Sequence, residues 1–463
     1  MTNHRIAGSF RDPSGFLFKK EGVVYRQINP SGAVLYDALM GSGLYESLVK
    51  ANLLIAHEEV DVRLEGAPDA YKVIRPVQLP LISYPYEWSF GQLKAAALLT
   101  LTMQKKALEK GMVLRDASAY NVQFHEGRPV FIDTLSFGPY TEGELWVAYQ
   151  QFCKHFLAPL ALMAKVDVSL LQLLRANIDG IPLDLASKLL PFSTKLSPFL
   201  LTHLHLHASS TRKYADAAAS GGNSPVKPGA GMSKDKMVTW IESLKMGVDA
   251  LDWTPTGTEW GDYYANTNYT KASHEHKSEL VAEFVGKVGA KVVWDLGANT
   301  GVFSKIAANQ GAKVYSFDID PAAVERNWRN VVAEKETRIL PLLQDLTNPS
   351  PAIGWDLDER SSFLDRGPTE LAMALALIHH IAISNNVPLQ RISKFLQKAC
   401  KHLIIEFVPK EDSQVRRLLA TREDIFPDYH LQGFERAFSE HFRIVEKREI
   451  RESVRTLYLL ERL

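Results

Sequence analysis

The sequence predicts an α/β protein in which an open, seven-stranded, mostly parallel sheet fills the carboxyl-terminal half and a separate α+β domain precedes it. Three observations predict this. Val292-Val293-Trp294-Asp295-Leu296 reads as a buried strand that ends in Gly297-Ala298-Asn299-Thr300-Gly301, and Val302-Phe303-Ser304-Lys305-Ile306-Ala307 continues with helical spacing. From there to the end, apolar runs of strand length alternate with helical patterns, as βαβ winding requires. The chain, at 463 residues, also exceeds one ordinary core. Its composition breaks at 209–236, where Ser, Ala, Gly and Pro replace any apolar period. We therefore expect a domain over 1–208, a flexible linker over 209–236 and a second domain over 237–463.

Composition excludes some functions before any motif is read. Lys+Arg and Asp+Glu both total 53, so no overall field draws the chain to nucleic acid or an anionic membrane. Cys153 and Cys400 are the only cysteines, which fits a reducing compartment and offers neither a disulfide framework nor zinc spacing. The first residues lack the apolar core of a secretory signal. Phe156 to Ala164 and Leu371 to Ile383 are too short to span a bilayer. A soluble, cytoplasmic protein acting on a small molecule, a sugar or another protein is the expectation.

The chemistry is concentrated at the end of the first strand. Gly297 can adopt backbone angles closed to other residues, and neither Gly297 nor Gly301 has a side chain to hold a ligand off the main chain. The next apolar run, Val314-Tyr315-Ser316-Phe317, ends in Asp318, 21 positions after Gly297. That is the spacing at which a βαβ unit presents an acid to a ribose. The pattern departs from the dinucleotide fingerprint, because no further Gly-x-x-Gly follows.

Asp295 to Gly301 with Asp318 resembles the first motifs of the class I S-adenosylmethionine-dependent methyltransferases, whose Rossmann-like sheet binds the methyl donor. The resemblance covers about Asp235 to Leu463. It implies S-adenosyl-L-methionine as cofactor, held by Asp295, Gly297, Asn299 and Gly301 of the turn, by Asp318 at the ribose, and by Asp345 and Leu346 after the third strand at the adenine. Tyr269, in an aromatic segment before the leading helix, is a further candidate by position. Asn348-Pro349-Ser350-Pro351 is not an amino-methylase motif, since it follows the wrong strand and lacks the aromatic residue.

The fourth strand, Leu371 to Ile378, delivers His379-His380 to the end of the sheet where open α/β folds bind ligands. A neutral histidine suits removal of the acceptor's proton, so His379 and His380 are the catalytic candidates. The alternative is that one histidine caps the next helix or shapes the pocket. The stretch from Asn348 to Pro368 reads as an insertion in which Trp355, Glu359 and Arg360 reach a substrate or cover the sheet end.

The amino-terminal half begins with a hairpin over Gly15 to Ile28, helices between Ala33 and Ala56, and short strands at Tyr71–Ile74 and Leu79–Ile82. Ser89 caps a helix running to Leu108. Asp116, Asn121 and Asp133 then fall at the spacings of a kinase catalytic loop and metal-holding acid, and the element order resembles a kinase-like domain. A glycine-rich phosphate loop, the usual His before Arg-Asp, and Phe-Gly after Asp133 are all missing. The readings left open are a degenerate scaffold or substrate-recognition domain, an ATP/Mg-dependent phosphotransferase that makes the protein bifunctional, and chance spacing. A cofactor-binding module without turnover is a third possibility for the whole chain. His203, His205 and His207 alternate with leucines and read as structural, and no metal is expected.

Overall fold

The computed structural model describes residues 3–208, 232–256, 258, 270–420 and 422–463. The chain forms two compact units, Met1–Thr254 with Ile353–Arg360, and Pro255–Ala352 with Ser361–Leu463.

The first unit starts with an antiparallel sheet of β1 (His4–Arg5), β2 (Gly15–Lys20), β3 (Val23–Ile28), β4 (His57–Glu59) and β5 (Lys72–Pro76), in the order β1-β2-β3-β5-β4. The expected strand at Leu79–Ile82 does not form, and that segment is loop. The helices α1 (Ala33–Gly41) and α2 (Leu44–Lys50) fall between β3 and β4. The long helix α3 (Phe90–Glu109) opens with a capping box: the Ser89 hydroxyl accepts from the Gln92 N–H at 3.3 Å, and the Gln92 side chain accepts from the Ser89 N–H at 2.8 Å.

Two short antiparallel pairs, β6 (Met112–Leu114) with β9 (Phe137–Pro139) and β7 (Val122–His125) with β8 (Arg128–Phe131), carry the kinase-like residues. The Asp133 carboxylate is fully engaged there. Arg26 from β3 pairs with it, the Leu135 N–H donates to Oδ1 at 3.0 Å, and the Ser136 hydroxyl donates to Oδ2 at 2.7 Å. Asn121 donates to the Ser136 hydroxyl at 3.3 Å, and Asp116 accepts from the Ser118 N–H and the Gln151 amide. A guanidinium therefore sits against the acid that the kinase resemblance assigns to a metal.

The domain boundary differs from the expectation. The linker residues 209–231 lie outside the described residues, but the helix α4 (Lys234–Asp249), expected to open the second domain, packs on α3 instead. Lys105 pairs with Glu242 at 2.5 Å, and Lys94 donates to the Leu251 carbonyl at 3.0 Å. Gly247 lies under the Phe199 ring, where a Cβ would come within 2.2 Å. The break falls at 254, because an amphipathic helix signals an apolar face without saying which neighbour covers it.

The insertion is also placed differently. Ile353–Arg360 belongs to the first unit, not to the second. Arg11 forks onto the buried Glu359 carboxylate at 2.7 Å, and the Arg360 guanidinium stands 4.1 Å from the Tyr120 ring centroid. Trp355 is exposed. Of the alternating histidines, His203 and His205 are buried; His203 bonds Tyr149 at 2.7 Å, and His205 bonds Ser187 and Thr194.

The second unit is the open sheet. Its strands are β10 (Val292–Leu296), β11 (Lys313–Asp318), β12 (Ile339–Leu343), β13 (Thr369–Ala374), β14 (Cys400–Phe407), β15 (Phe442–Glu449) and β16 (Thr456–Arg462), in the order β12-β11-β10-β13-β14-β16-β15. β10 to β14 are parallel, and β16 runs antiparallel to β14 and β15. Strand order reverses at β10, so the crevice over the carboxyl ends of β10 and β13 is the topological switch point where such sheets bind ligands. The helices are α5 (Lys271–Val288), α6 (Val302–Asn309), α7 (Pro321–Glu334), α8 (Leu389–Ala399), α9 (Ser413–Leu419) and α10 (Leu431–Ser439). Buried on β10, Trp294 packs against Phe317 and Phe363 with ring centroids 5.5 and 4.8 Å apart. β13 ends at Ala374, four residues before the expected end, because Ala376 takes a left-handed φ of 49° that no strand continues.

The capping box gives a test of the first unit. Ser89→Ala removes one bond from α3 at a buried site, and urea unfolding should show a loss of about 1 kcal/mol.

Candidate active site

The site grows from the turn that closes β10. Gly297, Asn299 and Gly301 have φ of 76°, 49° and 83°, so three of five residues lie in the left-handed region. Glycine meets that demand twice and asparagine once, Asn being among the residues that tolerate it. The turn folds back onto β11: the N–H groups of Gly297 and Ala298 both donate to the Phe317 carbonyl at 2.8 and 2.9 Å. A Cβ on Gly301 would stand 2.6 Å from the Asn327 side chain, and one on Gly297 would stand 3.2 Å from Leu377.

Two acids end the neighbouring strands. Asp318 accepts from the Asn299 N–H at 2.7 Å on one oxygen and from the Asp320 N–H at 2.9 Å on the other. Burial pushes its carboxyl up to about 6, against the pull of those two N–H groups. Asp295 is 2 % exposed and accepts from the Ser304 hydroxyl at 2.6 Å. Burial pushes it up to about 7; the Ser304 bond opposes this and the Asp318 charge adds to it. Asp320 caps α7 through the Ala322 and Ala323 N–H groups.

A cavity of about 300 Å³ opens over this turn, and Asp295, Gly297, Asn299, Asp318, Asp345, Leu346 and His380 all line it. Gly301 is not among its lining residues; it caps α6 behind the turn. Asp345 holds the following turn by accepting the Thr347 N–H and hydroxyl on Oδ1. Tyr269 lies outside the described residues, as do Tyr264 and Asn268. The two histidines separate. His380 lines the cavity, and burial with Arg455 nearby lowers it to about 4. His379 is 1 % exposed and does not line the cavity, its ring centroid is 4.1 Å from that of His380, and its Nδ1 has no partner among the described residues. Burial first, then the His380, Arg455 and Lys277 charges, hold it well below the ordinary value. The turn after Ala374 points only one of the pair at the cavity.

Sequence reasoning missed a buried ladder of charge beside the cavity. Lys277 on α5 lines the cavity and pairs with Glu406 on β14 at 2.6 Å; Glu406 also accepts the Ala376 N–H at 2.8 Å. Arg455 reaches Glu406 at 3.4 Å and Asp412 at 2.7 Å. All four side chains are at most 4 % exposed. Such charges persist only when each is paired and bonded. The signal was present in the sequence: Lys277 falls on the face of Leu280, Val281 and Phe284, and Glu406 interrupts an apolar strand.

No family model matches the chain. Over 468 aligned residues it is 39 % identical to the nodulation protein NoeA of Rhizobium meliloti (strain 1021), covering 99 % of this chain and 96 % of that protein. The chain belongs to the NoeA family. Solved structures found to be similar include the magnesium protoporphyrin IX methyltransferase ChlM from Synechocystis PCC 6803 with bound SAH, at 16 % identity, a TM-score of 0.31 and coverage of 44 % of this chain and 93 % of that one. The N-methyltransferase NodS from Bradyrhizobium japonicum WM9 matches at 12 % identity, a TM-score of 0.30, and 42 % and 97 % coverage. The bifunctional kinase-methyltransferase WbdD matches at 14 % identity and a TM-score of 0.29, with 45 % of this chain matched to 43 % of that one, so less than half of WbdD is spanned. These scores are too low to bear on function. The strand order and the β10 turn themselves give the second unit a class I methyltransferase fold.

The raised Asp295 carboxyl sets a pH test. Its folded value of about 7 exceeds the ordinary 3.8, so its contribution to stability is full below the ordinary value and is lost as pH rises through about 7. Asp295→Asn does not titrate. Unfolding free energies measured from pH 4.5 to 8 should show the variant gaining on the wild type as pH rises, and a gap independent of pH contradicts the assignment.

Proposed function

We propose that this protein is an S-adenosylmethionine-dependent methyltransferase acting on an oxygen or nitrogen nucleophile of a small molecule, sugar or protein. The observation that carries the reading is the cavity at the switch point of the sheet, with two buried strand-end acids and a bare-backbone glycine turn converging on it. The residues fit the donor. Asp318 would hold the ribose, Asp345 and Leu346 would meet the adenine, and the bare main chain at Gly297 lets a ligand approach closely. When bound, S-adenosylmethionine supplies an electrophilic methyl group on a sulfonium.

The chain's own residues do the rest. His380, neutral at physiological pH because burial lowers it to about 4, is available to take the acceptor's proton at the cavity wall. Glu406 fixes the Ala376 N–H, and with it the left-handed loop that precedes His380. His379, buried behind its neighbour, has a packing role. The kinase-like unit, whose Asp133 is engaged by Arg26 rather than left open for a metal, recruits the acceptor to the chain. Membership of the NoeA family supports a part in nodulation. Among the described residues no helix is long and apolar enough to cross a membrane; we read the protein as cytoplasmic.

Calorimetry with S-adenosylhomocysteine tests the donor site. Binding is expected, and it should weaken as pH falls through about 6, where the Asp318 carboxyl protonates and can no longer accept from both ribose hydroxyls. Asp318→Asn should lose about 10- to 100-fold in affinity, the worth of hydrogen bonds to a charged group. A folded protein with no affinity for the ligand sinks the reading. With labelled donor and a cell extract, His380→Ala should bind normally and turn over about 10²-fold or more slowly. Unchanged turnover would remove His380 as the base.

A further inference from the structure

A second cavity, of about 250 Å³, lies between the sheet and α8, and it shares Leu346, Thr347, Leu377 and Ile381 with the donor cavity. The remaining wall is built from apolar side chains such as Ile378, Val387, Ile392 and Phe395, with one cation, Arg391, on the first turn of α8. An engineered apolar cavity of about 150 Å³ is already large enough to take benzene. This one is larger and shares a wall with the cavity where methyl transfer is proposed. Arg391 is exposed and makes no ion pair among the described residues.

We propose that this second cavity is the acceptor subsite, taking a compact apolar portion of the acceptor, an aryl ring or a branched alkyl group, with an adjacent anionic group at Arg391. The proposal rests on the methyltransferase reading, since only the neighbouring donor cavity makes its occupant an acceptor. It narrows the acceptor from any small molecule, sugar or protein to one that carries an apolar anionic moiety. It also assigns specificity to Ile378 and Val387 after β13 and to Ile392 and Phe395 along α8, none of which belongs to a recognised motif. Burial of the apolar group would supply the affinity, and the single cation would fix which end faces the methyl group.

The test uses the full chain and two probes, 2-naphthoate and its uncharged counterpart 2-naphthylmethanol, each titrated with S-adenosylhomocysteine present. Ile392→Trp and Val387→Phe each fill the cavity from walls that the donor cavity does not share, and Val387 is partly exposed, so at least one variant should fold. The expected result is saturable naphthoate binding that falls tenfold or more in both fillers, with S-adenosylhomocysteine affinity unchanged. Arg391→Ala should weaken naphthoate and leave the alcohol unaffected. The proposal is overturned if neither probe binds, if a folded filler binds naphthoate as well as the wild type, or if the fillers weaken S-adenosylhomocysteine instead, which would make the cavity part of the donor site. Failure of S-adenosylhomocysteine to bind the wild type would fall on the methyltransferase reading itself.

Discussion

The second unit depends on a turn that can close in only one way. Between β10 and α6 the chain must reverse within five residues while the first helical N–H groups and the end of β11 stay satisfied. It does so by placing Gly297, Asn299 and Gly301 in the left-handed region and giving the Gly297 and Ala298 N–H groups to the Phe317 carbonyl. The Asn299 N–H then goes to the Asp318 carboxylate. These bonds lock the two strand ends together, so the same interactions that build the fold also aim an acid and a bare stretch of backbone into the cavity. Removing the turn would leave neither a sheet junction nor a site.

Around this turn the protein buries more charge than a core tolerates unassisted. Asp295 and Asp318 are held in a setting that favours their protonated forms, while Lys277, Glu406, Arg455 and Asp412 pair off with little exposure to water. The ladder is costly to desolvate and is offset only by complete pairing. Its place explains it: Glu406 ties α5 and the segment between β15 and β16 to the Ala376 N–H, at the left-handed residue where β13 stops and the His379-His380 turn begins. Charge is used here to fix a loop that apolar packing would leave free to shift.

Much of this was legible in the sequence. The glycine turn, Asp318, Asp345 and the strand run from β10 to β16 announce themselves because backbone demand and apolar periodicity are local properties. Ser89 is legible as a cap for the same reason. Partners distant in sequence are not. Lys277 meets Glu406 across 129 positions and Arg11 meets Glu359 across 348, and no local pattern marks either pair. Ile353–Arg360, within the stretch read as an insertion in the second domain, is therefore part of the first unit. β4, made of His57-Glu58-Glu59, has no apolar face and escaped notice as an edge strand. The two histidines looked equivalent, and only the left-handed Ala376 decides that His380 meets the cavity.

The central claim is that the cavity over the β10 turn is built for a methyl donor. A crystal structure of the full chain grown with saturating S-adenosylhomocysteine tests it most directly. The account predicts ligand density in that cavity, with both ribose hydroxyls on the Asp318 carboxylate, the adenine against Asp345 and Leu346, and the sulfur facing His380. An empty cavity at saturating ligand, or density in the reverse orientation with the sulfur at Asp345, would contradict it.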